Sequence, residues 1–232
     1  MKALVLLAAR GGSRNELDDE LVNHAQSIAR PGIQVAAFSE LRDDPFSHAA
    51  SGIRPYDATL ELRGEQPDIA ASVDGLADRF EPFIHADLSC ALGGEDLVFI
   101  ECDPAPMRYQ YVMRRKIGTT HQEYLDYYTG HGERFGHRTG GIEGYVQFRS
   151  DPELSRTLAN TAGLGQWQPD SVSELHLLSL EHFFEGLALN NPGNEPAEDE
   201  ERFMDRANSV MFVSEVLWRS DEPEAPRIVV HP

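Results

Sequence analysis

Along this chain the spacing of apolar positions switches between strand-like and helix-like periods, and the switches outline its elements. Residues 2–9 form an almost unbroken apolar run closed by Gly11-Gly12, which predicts a buried strand. In 15–29, Leu17, Leu21, Ala25 and Ile28 recur at helical spacing until Pro31-Gly32 stops them. Residues 33–41 and 56–63 predict two more strands, parted by a polar loop rich in Asp, Ser and Pro. Ile69, Val73, Leu76 and Phe80 then mark a helix that Pro82 kinks, with 85–92 expected to continue it, and 95–101 predict a fourth strand. The resulting order, βαββαβ, is the split βαβ arrangement: a four-stranded antiparallel sheet with two helices on one face.

After the proline-rich joint at 103–106 the order starts again, with a strand at 109–116, a helix at 120–138 and a strand at 142–148. Residues 150–170 predict an insertion carrying a short helix at 154–162. A strand at 172–179, helical pieces at 180–189 and 199–205 around an Asn-Pro-Gly-Asn loop, and a strand at 210–218 complete the second unit. The expected division is 1–103, 107–220 and a tail at 221–232 laid over the surface. Each sheet has one face covered by its own helices. Exposing the other to water costs roughly 25 cal/mol per Å², so the two units are expected to pack bare face on bare face within one chain.

Charge narrows the partners. Lys and Arg number 20 against 39 Asp and Glu, a formal net charge of -19, which repels phosphate backbones and anionic lipid; nucleic acid and membrane surfaces are not expected. No apolar stretch approaches the roughly 20 residues of a membrane span, and the apolar N-terminal run lacks a cleavage-like region, so a cytoplasmic location is expected. Cys90 and Cys102 show neither CxxC nor metal-ligand spacing and are expected to be reduced packing residues. Gly11-Gly12, Gly140-Gly141 and Gly163-Leu-Gly165 do not form a phosphate loop.

Candidate chemistry concentrates in 109–146. Thr120 with Glu123 three residues on makes a capping box, and Tyr124, Tyr127, Tyr128, His131 and Phe135 follow at spacings of three and four, on one inward side of a helix. His131 is the candidate general acid or base, because an unperturbed imidazole exchanges a proton near neutrality. Gly130 and Gly132 flank it, which suggests close approach of a ligand to the backbone; a core histidine bonded to a carbonyl is the plainer alternative. In the strand at 172–179, alternation puts Glu174 and His176 on one face. If helices cover that face, both converge with His131 on one cavity; otherwise both are solvated at an edge strand. Tyr111, Tyr124, Tyr128 and His137 are candidate substrate contacts, although His137 at a helix end also suits the dipole and a tyrosine stripe also suits a core.

The strand YVMRRKIG, the helix HQEYLDYYTGHGERF and the following GIEGYVQ resemble the EthD domain of the dimeric α/β-barrel superfamily. The resemblance implies an α+β fold: two tandem ferredoxin-like βαββαβ units whose antiparallel sheets pack into an intramolecular dimeric-α/β-barrel arrangement, the first unit a scaffold and the second carrying the site. Two departures are Tyr128, where the family usually has Trp, and Gly132-Glu133, where a proline often follows closely. Related barrels include haem proteins, but the nine histidines show no HxH or HExxH, and neither a metal nor any other cofactor is expected. The expected function, in line with the resemblance, is a cofactor-independent lyase or isomerase, of dehydratase or decarboxylase type, acting on a small hydrophobic aromatic or polyketide-like molecule, with His131 as general base or acid and Glu174 or His176, from strand alternation, as its partner. A non-catalytic ligand-binding or auxiliary protein and a cofactor-free monooxygenase are the alternatives. A monomer or a homodimer is compatible with an internally paired barrel.

Overall fold

The structure, a computed structural model, describes residues 1–46, 56–190, 193 and 195–220, together with the backbone of 228–229. The first half of the chain folds as Lys2–Leu7 (β1), Arg14–Ile28 (α1), Gln34–Glu40 (β2), Ala58–Arg63 (β3), Gln66–Val73 (α2), Leu76–Arg79 (α3) and Cys90–Ile100 (β4). The second half follows as Met107–Met113 (β5), His121–Phe135 (α4), Gly144–Ser150 (β6), Pro152–Ala162 (α5), Ser171–Leu177 (β7), Leu180–Leu189 (α6), Glu195–Glu200 (α7) and Val210–Arg219 (β8), with a two-residue strand at Ile228–Val229 (β9).

Strands β1–β3–β2–β8–β5–β7–β6–β4 are hydrogen-bonded in that order, and β4 returns to β1, so eight antiparallel strands close into a barrel. Each half contributes four strands in the same order, fourth, first, third, second. The halves join edge to edge through β2–β8 and β4–β6 rather than by stacking two open sheets. Closure pairs the backbone groups that four open edges would have left bare, and the faces free of helices become the barrel lumen. β4 reaches both neighbours by its length: Cys90–Gly94 pairs with β1 and Gly94–Ile100 with β6, and β9 adds a parallel pairing at Leu97 and Val98.

Residues 85–92 depart from the expected helix. Cys90 to Leu92 open strand β4, and helical structure ends at Arg79. The face that a longer second helix would cover is taken by α5, the inserted helix of the second half, whose Leu158, Ala159 and Ala162 join the core formed by β1, β2, β3 and α1. Gly93 permits this approach, since a Cβ there would stand 2.5 Å from Leu154 Cγ. Of the expected tail, residues 221–227 and 230–232 lie outside the described residues, as do 191, 192 and 194 of the Asn-Pro-Gly-Asn loop.

Strand alternation divides the interior in two. Outside the barrel, Ala3, Val5 and Leu7 of β1 face the helices. Inside, Leu4, Leu6, Leu92, Val112, Phe148, Val172 and Phe212 fill one end of the lumen, and a charged cluster fills the other. Lys2, 1% exposed, contacts Glu61, Asp96 and Glu174; Arg63 bonds Glu61 and Asp96, and Arg108 bonds Glu61 and Glu174. Burial opposes ionisation of Glu61 and Asp96, but the surrounding cations hold both carboxyls below their ordinary values. Neither cysteine is in a disulfide. Among the described residues no helix is long and apolar enough to cross a membrane.

Candidate active site beside His131

Helix α4 begins as its sequence dictates. The Thr120 hydroxyl accepts from the Glu123 amide, and the Glu123 carboxylate accepts from the Thr120 amide, closing the capping box. From that start, helical spacing turns Tyr124, Tyr128, His131 and Phe135 inward, where all four are buried. Gly132 serves the packing of helix on sheet rather than a ligand: a Cβ there would lie 2.6 Å from both Phe99 Cζ and Gln147 Nε2.

His131 stands against Phe135 and Phe203, with ring centroids 4.9 and 5.3 Å away. Its Nδ1 is 2.8 Å from Asp199 Oδ2. Asp199 also accepts from Arg134 at 2.6 Å and from the Tyr127 hydroxyl at 2.9 Å. Although burial pushes it up, these bonds and the Arg134 charge bring Asp199 down to about 2, so it is ionised near neutrality. Nδ1 must therefore carry the hydrogen and donate it, which leaves the lone pair on Nε2. Burial lowers the pKa of His131 against the opposing pull of Asp199, and the ring is neutral at pH 7.

A cavity of about 290 Å³ opens beside this ring, between the outer face of β5, β6 and β7 and the helices α4, α6 and α7. Tyr109, Tyr111, Tyr145, Ser173 and Leu175 form its sheet wall, and Phe183, Phe135 and Glu200 stand on the helix side. Glu200 is raised to about 7 by burial and, after an opposing effect of Arg206, by the neighbouring Asp199 charge; its Oε2 accepts from Arg206 at 2.9 Å. An imidazole with a free lone pair and a carboxyl half-protonated near neutrality thus border one largely aromatic space. That combination can take a proton from one atom of a bound molecule and return one to another.

The other residues singled out from sequence lie elsewhere or play other parts. Ser173 and Leu175 of β7 face this cavity, so alternation turns Glu174 and His176 to the lumen, across the barrel wall from His131. The expected convergence of His131 with Glu174 or His176 is therefore corrected: Glu174 is paired with Lys2 and Arg108, and His176 Nδ1 lies 3.2 Å from Cys102 Sγ. Tyr111 lines the cavity. Tyr124 is bonded to Ser171 at 2.6 Å and stacks on Tyr128, so both belong to the helix–sheet core. His137 is exposed in the short turn after α4. Sequence reasoning missed Asp199 and Glu200. They sit in an acidic run, AEDEE, that reads as a solvated helix end, and 68 residues separate Asp199 from His131.

Residues 116–207 match the EthD domain family, a span that holds His131, Asp199 and Glu200 together. This segment is an EthD domain. No curated protein matches the sequence. Among solved structures, an anthrone oxidase-like protein shares 10% identity with a TM-score of 0.62, covering 94% of this chain and 91% of its own. A candidate monooxygenase of Fusobacterium nucleatum subsp. nucleatum ATCC 25586 shares 8% identity with a TM-score of 0.58, covering 94% and 92%. A candidate monooxygenase of Lactobacillus acidophilus NCFM shares 9% with a TM-score of 0.54, covering 94% of each chain. At such identities the likeness is one of fold, and it extends around the whole barrel beyond the EthD domain.

Among the described residues no three His, Cys, Asp or Glu side chains are placed to hold a metal ion. A haem exceeds the drug-sized ligands that occupy pockets of roughly 300–1,000 Å³, and the EthD-domain cavity of about 290 Å³ does not fit one.

Proposed function

We propose that the EthD-domain cavity is the active site of a cofactor-independent acid–base enzyme, a lyase or isomerase of a small hydrophobic, aromatic or polyketide-like molecule. The observation that carries this reading is the pairing of His131 with Asp199 beside a carboxyl, Glu200, raised to about 7. His131 Nε2 removes a proton from carbon next to a carbonyl or phenol, and Asp199 stabilises the imidazolium that results. Protonated Glu200 delivers its proton to a departing hydroxyl, which leaves as water, or to a second carbon of the substrate, which gives the isomer. Tyr109, Tyr111 and Tyr145 provide the flat, weakly polar wall an aromatic molecule stacks on. In this reading residues 107–220 form the unit that carries the site and 1–103 a ferredoxin-like scaffold whose strands complete the barrel.

A second reading is favoured by the fold shared with the anthrone oxidase-like protein and the two candidate monooxygenases. The same base, removing a proton from an anthrone-like carbon acid, would generate an electron-rich anion that reduces dioxygen directly. Both readings require the base. A panel of aromatic and polyketide-like carbon acids, followed by mass spectrometry and an oxygen electrode, tests them. Turnover without oxygen uptake supports the lyase or isomerase, turnover with uptake the oxygenase, and in either case His131→Ala should lower kcat by roughly 10²–10⁴-fold. Glu200→Gln should remove a kinetic inflection near pH 7. Full turnover by a folded His131→Ala variant refutes both readings, and stoichiometric binding of a panel member without turnover in the wild type indicates a ligand-binding protein instead.

A further inference from the structure

The charged end of the lumen opens into a second cavity, also about 290 Å³, on the opposite side of the barrel wall from His131. Arg63, Arg108 and Arg219 line it and, among the described residues, one carboxylate, Glu61. The inner charges are already balanced: Lys2, Arg63 and Arg108 meet Glu61, Asp96 and Glu174. That balance engages only part of the two inner forks. Arg63 hydrogen-bonds or pairs through Nε and Nη1, and Arg108 through Nη1 alone. Arg63 Nη2 and Arg108 Nε and Nη2 have no hydrogen-bond partner among the described residues, although Arg63 is 8% and Arg108 4% exposed. The Arg108 guanidinium is held in its plane over the Phe38 ring, 4.4 Å from its centroid. Buried guanidinium donors facing a cavity rather than a protein acceptor are poised for an outside oxyanion, which a rigid fork binds through two parallel hydrogen bonds.

We propose that this mouth of the barrel is a second binding site, independent of the EthD-domain cavity, for a small monocarboxylate. Three features select that chemistry. The volume lies at the lower edge of ligand pockets, which suits a molecule of a few carbons. Glu61 in the wall repels a second negative charge and so disfavours a phosphate dianion. Ala36 and Pro104 contribute an apolar patch beside the guanidiniums, against which a short hydrocarbon body can lie while its carboxylate meets Arg108 and Arg219.

Isothermal titration of butyrate into the full chain, with sodium chloride matched for ionic strength and inorganic phosphate as the competing oxyanion, tests the site. Expected are one butyrate per chain, weaker binding of phosphate, affinity reduced at least tenfold in Arg219→Gln, and wild-type affinity in His131→Ala. Arg219 stands at the rim and is half-buried, so its replacement spares the inner ion pairs; near-ultraviolet circular dichroism confirms that the variant is folded. Butyrate heats no larger than those of chloride, phosphate binding tighter than butyrate, or wild-type affinity in folded Arg219→Gln each overturn the proposal. Binding lost in His131→Ala and kept in Arg219→Gln would put butyrate in the EthD-domain cavity and likewise overturn it.

Discussion

Replacing Lys2 by Met tests whether the charged end of the lumen behaves as a closed electrostatic unit. Lys2 is 1% exposed, and its ammonium contacts Glu61, Asp96 and Glu174. Methionine has a similar length and keeps apolar contact near Phe148, whose ring centroid is 5.4 Å from the Lys2 ammonium, so the charge is the main thing lost. Three carboxylates then face two guanidiniums. Leaving a buried charge uncompensated costs about 3–5 kcal/mol, which for a domain of this size lowers Tm by about 6–20 °C. The surplus carboxylate should take up a proton more readily in the folded than in the unfolded chain. A carboxyl whose folded pKa is raised contributes stability below its unfolded pKa and loses it as pH rises through the folded one. The penalty measured by urea unfolding should therefore be larger at pH 8 than at pH 5. Lys2→Met/Glu174→Gln, with two cations facing two carboxylates, should recover more than half of the loss. A loss below about 1 kcal/mol, or one independent of pH, would mean that water reaches this end of the barrel and solvates the charges, and the electrostatic argument fails.

Two further substitutions probe the helix-side cavity. Asp199→Asn removes the charge that opposes the burial-driven lowering of His131, so the imidazole pKa followed by NMR should fall further; an unchanged or raised value would show that the carboxylate does not act on the ring. The same variant loses stability that Asp199 supplies above its unfolded pKa and that the wild type gives up only as pH falls through about 2, so the difference between the two, read by urea unfolding, should shrink toward low pH. Gly132→Ala improves helix propensity by up to about 1 kcal/mol but drives a methyl into Phe99 and Gln147, where overpacking costs about 1–3 kcal/mol. The net result in urea should be destabilisation, and a stabilised variant would show that the helix lifts from the sheet at no cost.

Legibility from sequence followed the range of the forces involved. The capping box and the inward face of α4 depend on residues three and four apart, and Thr120, Glu123, Tyr124, Tyr128 and His131 stand where that spacing puts them. The strands were legible as well, apart from the start of β4, where an apolar Cys90 to Leu92 fits helix or strand equally until α5 is known to lie on it. A barrel was expected only from the family resemblance; the residue pattern alone implied bare face on bare face, because edge-to-edge closure depends on β2 meeting β8 and β4 meeting β6 across long stretches of chain. The same limit hid Asp199: local pattern puts it in a polar run, and only the fold carries it to His131. For β7, alternation correctly paired Glu174 with His176 on one face, yet no feature of the strand itself says which face the helices cover.

That ambiguity in β7 has a consequence for how the two cavities relate. The wall between them is one strand thick, so Leu175 borders the His131 cavity while the next residue, His176, borders the arginine-lined mouth. On β5, Arg108 and Tyr109 divide in the same way. Neighbouring side chains on opposite faces do not touch, and a ligand on one side reaches the other only by shifting strand backbone. That backbone is held on both edges, β5 by β7 and β8, and β7 by β5 and β6. Moving either strand would disturb two ladders at once, a stiff response compared with the rotation of a side chain. Two sites so close in space are therefore expected to act independently: the proposed proton transfer at His131 would belong to the helix-covered face, the proposed anion binding to the lumen, and a ligand that filled one would leave affinity at the other unchanged.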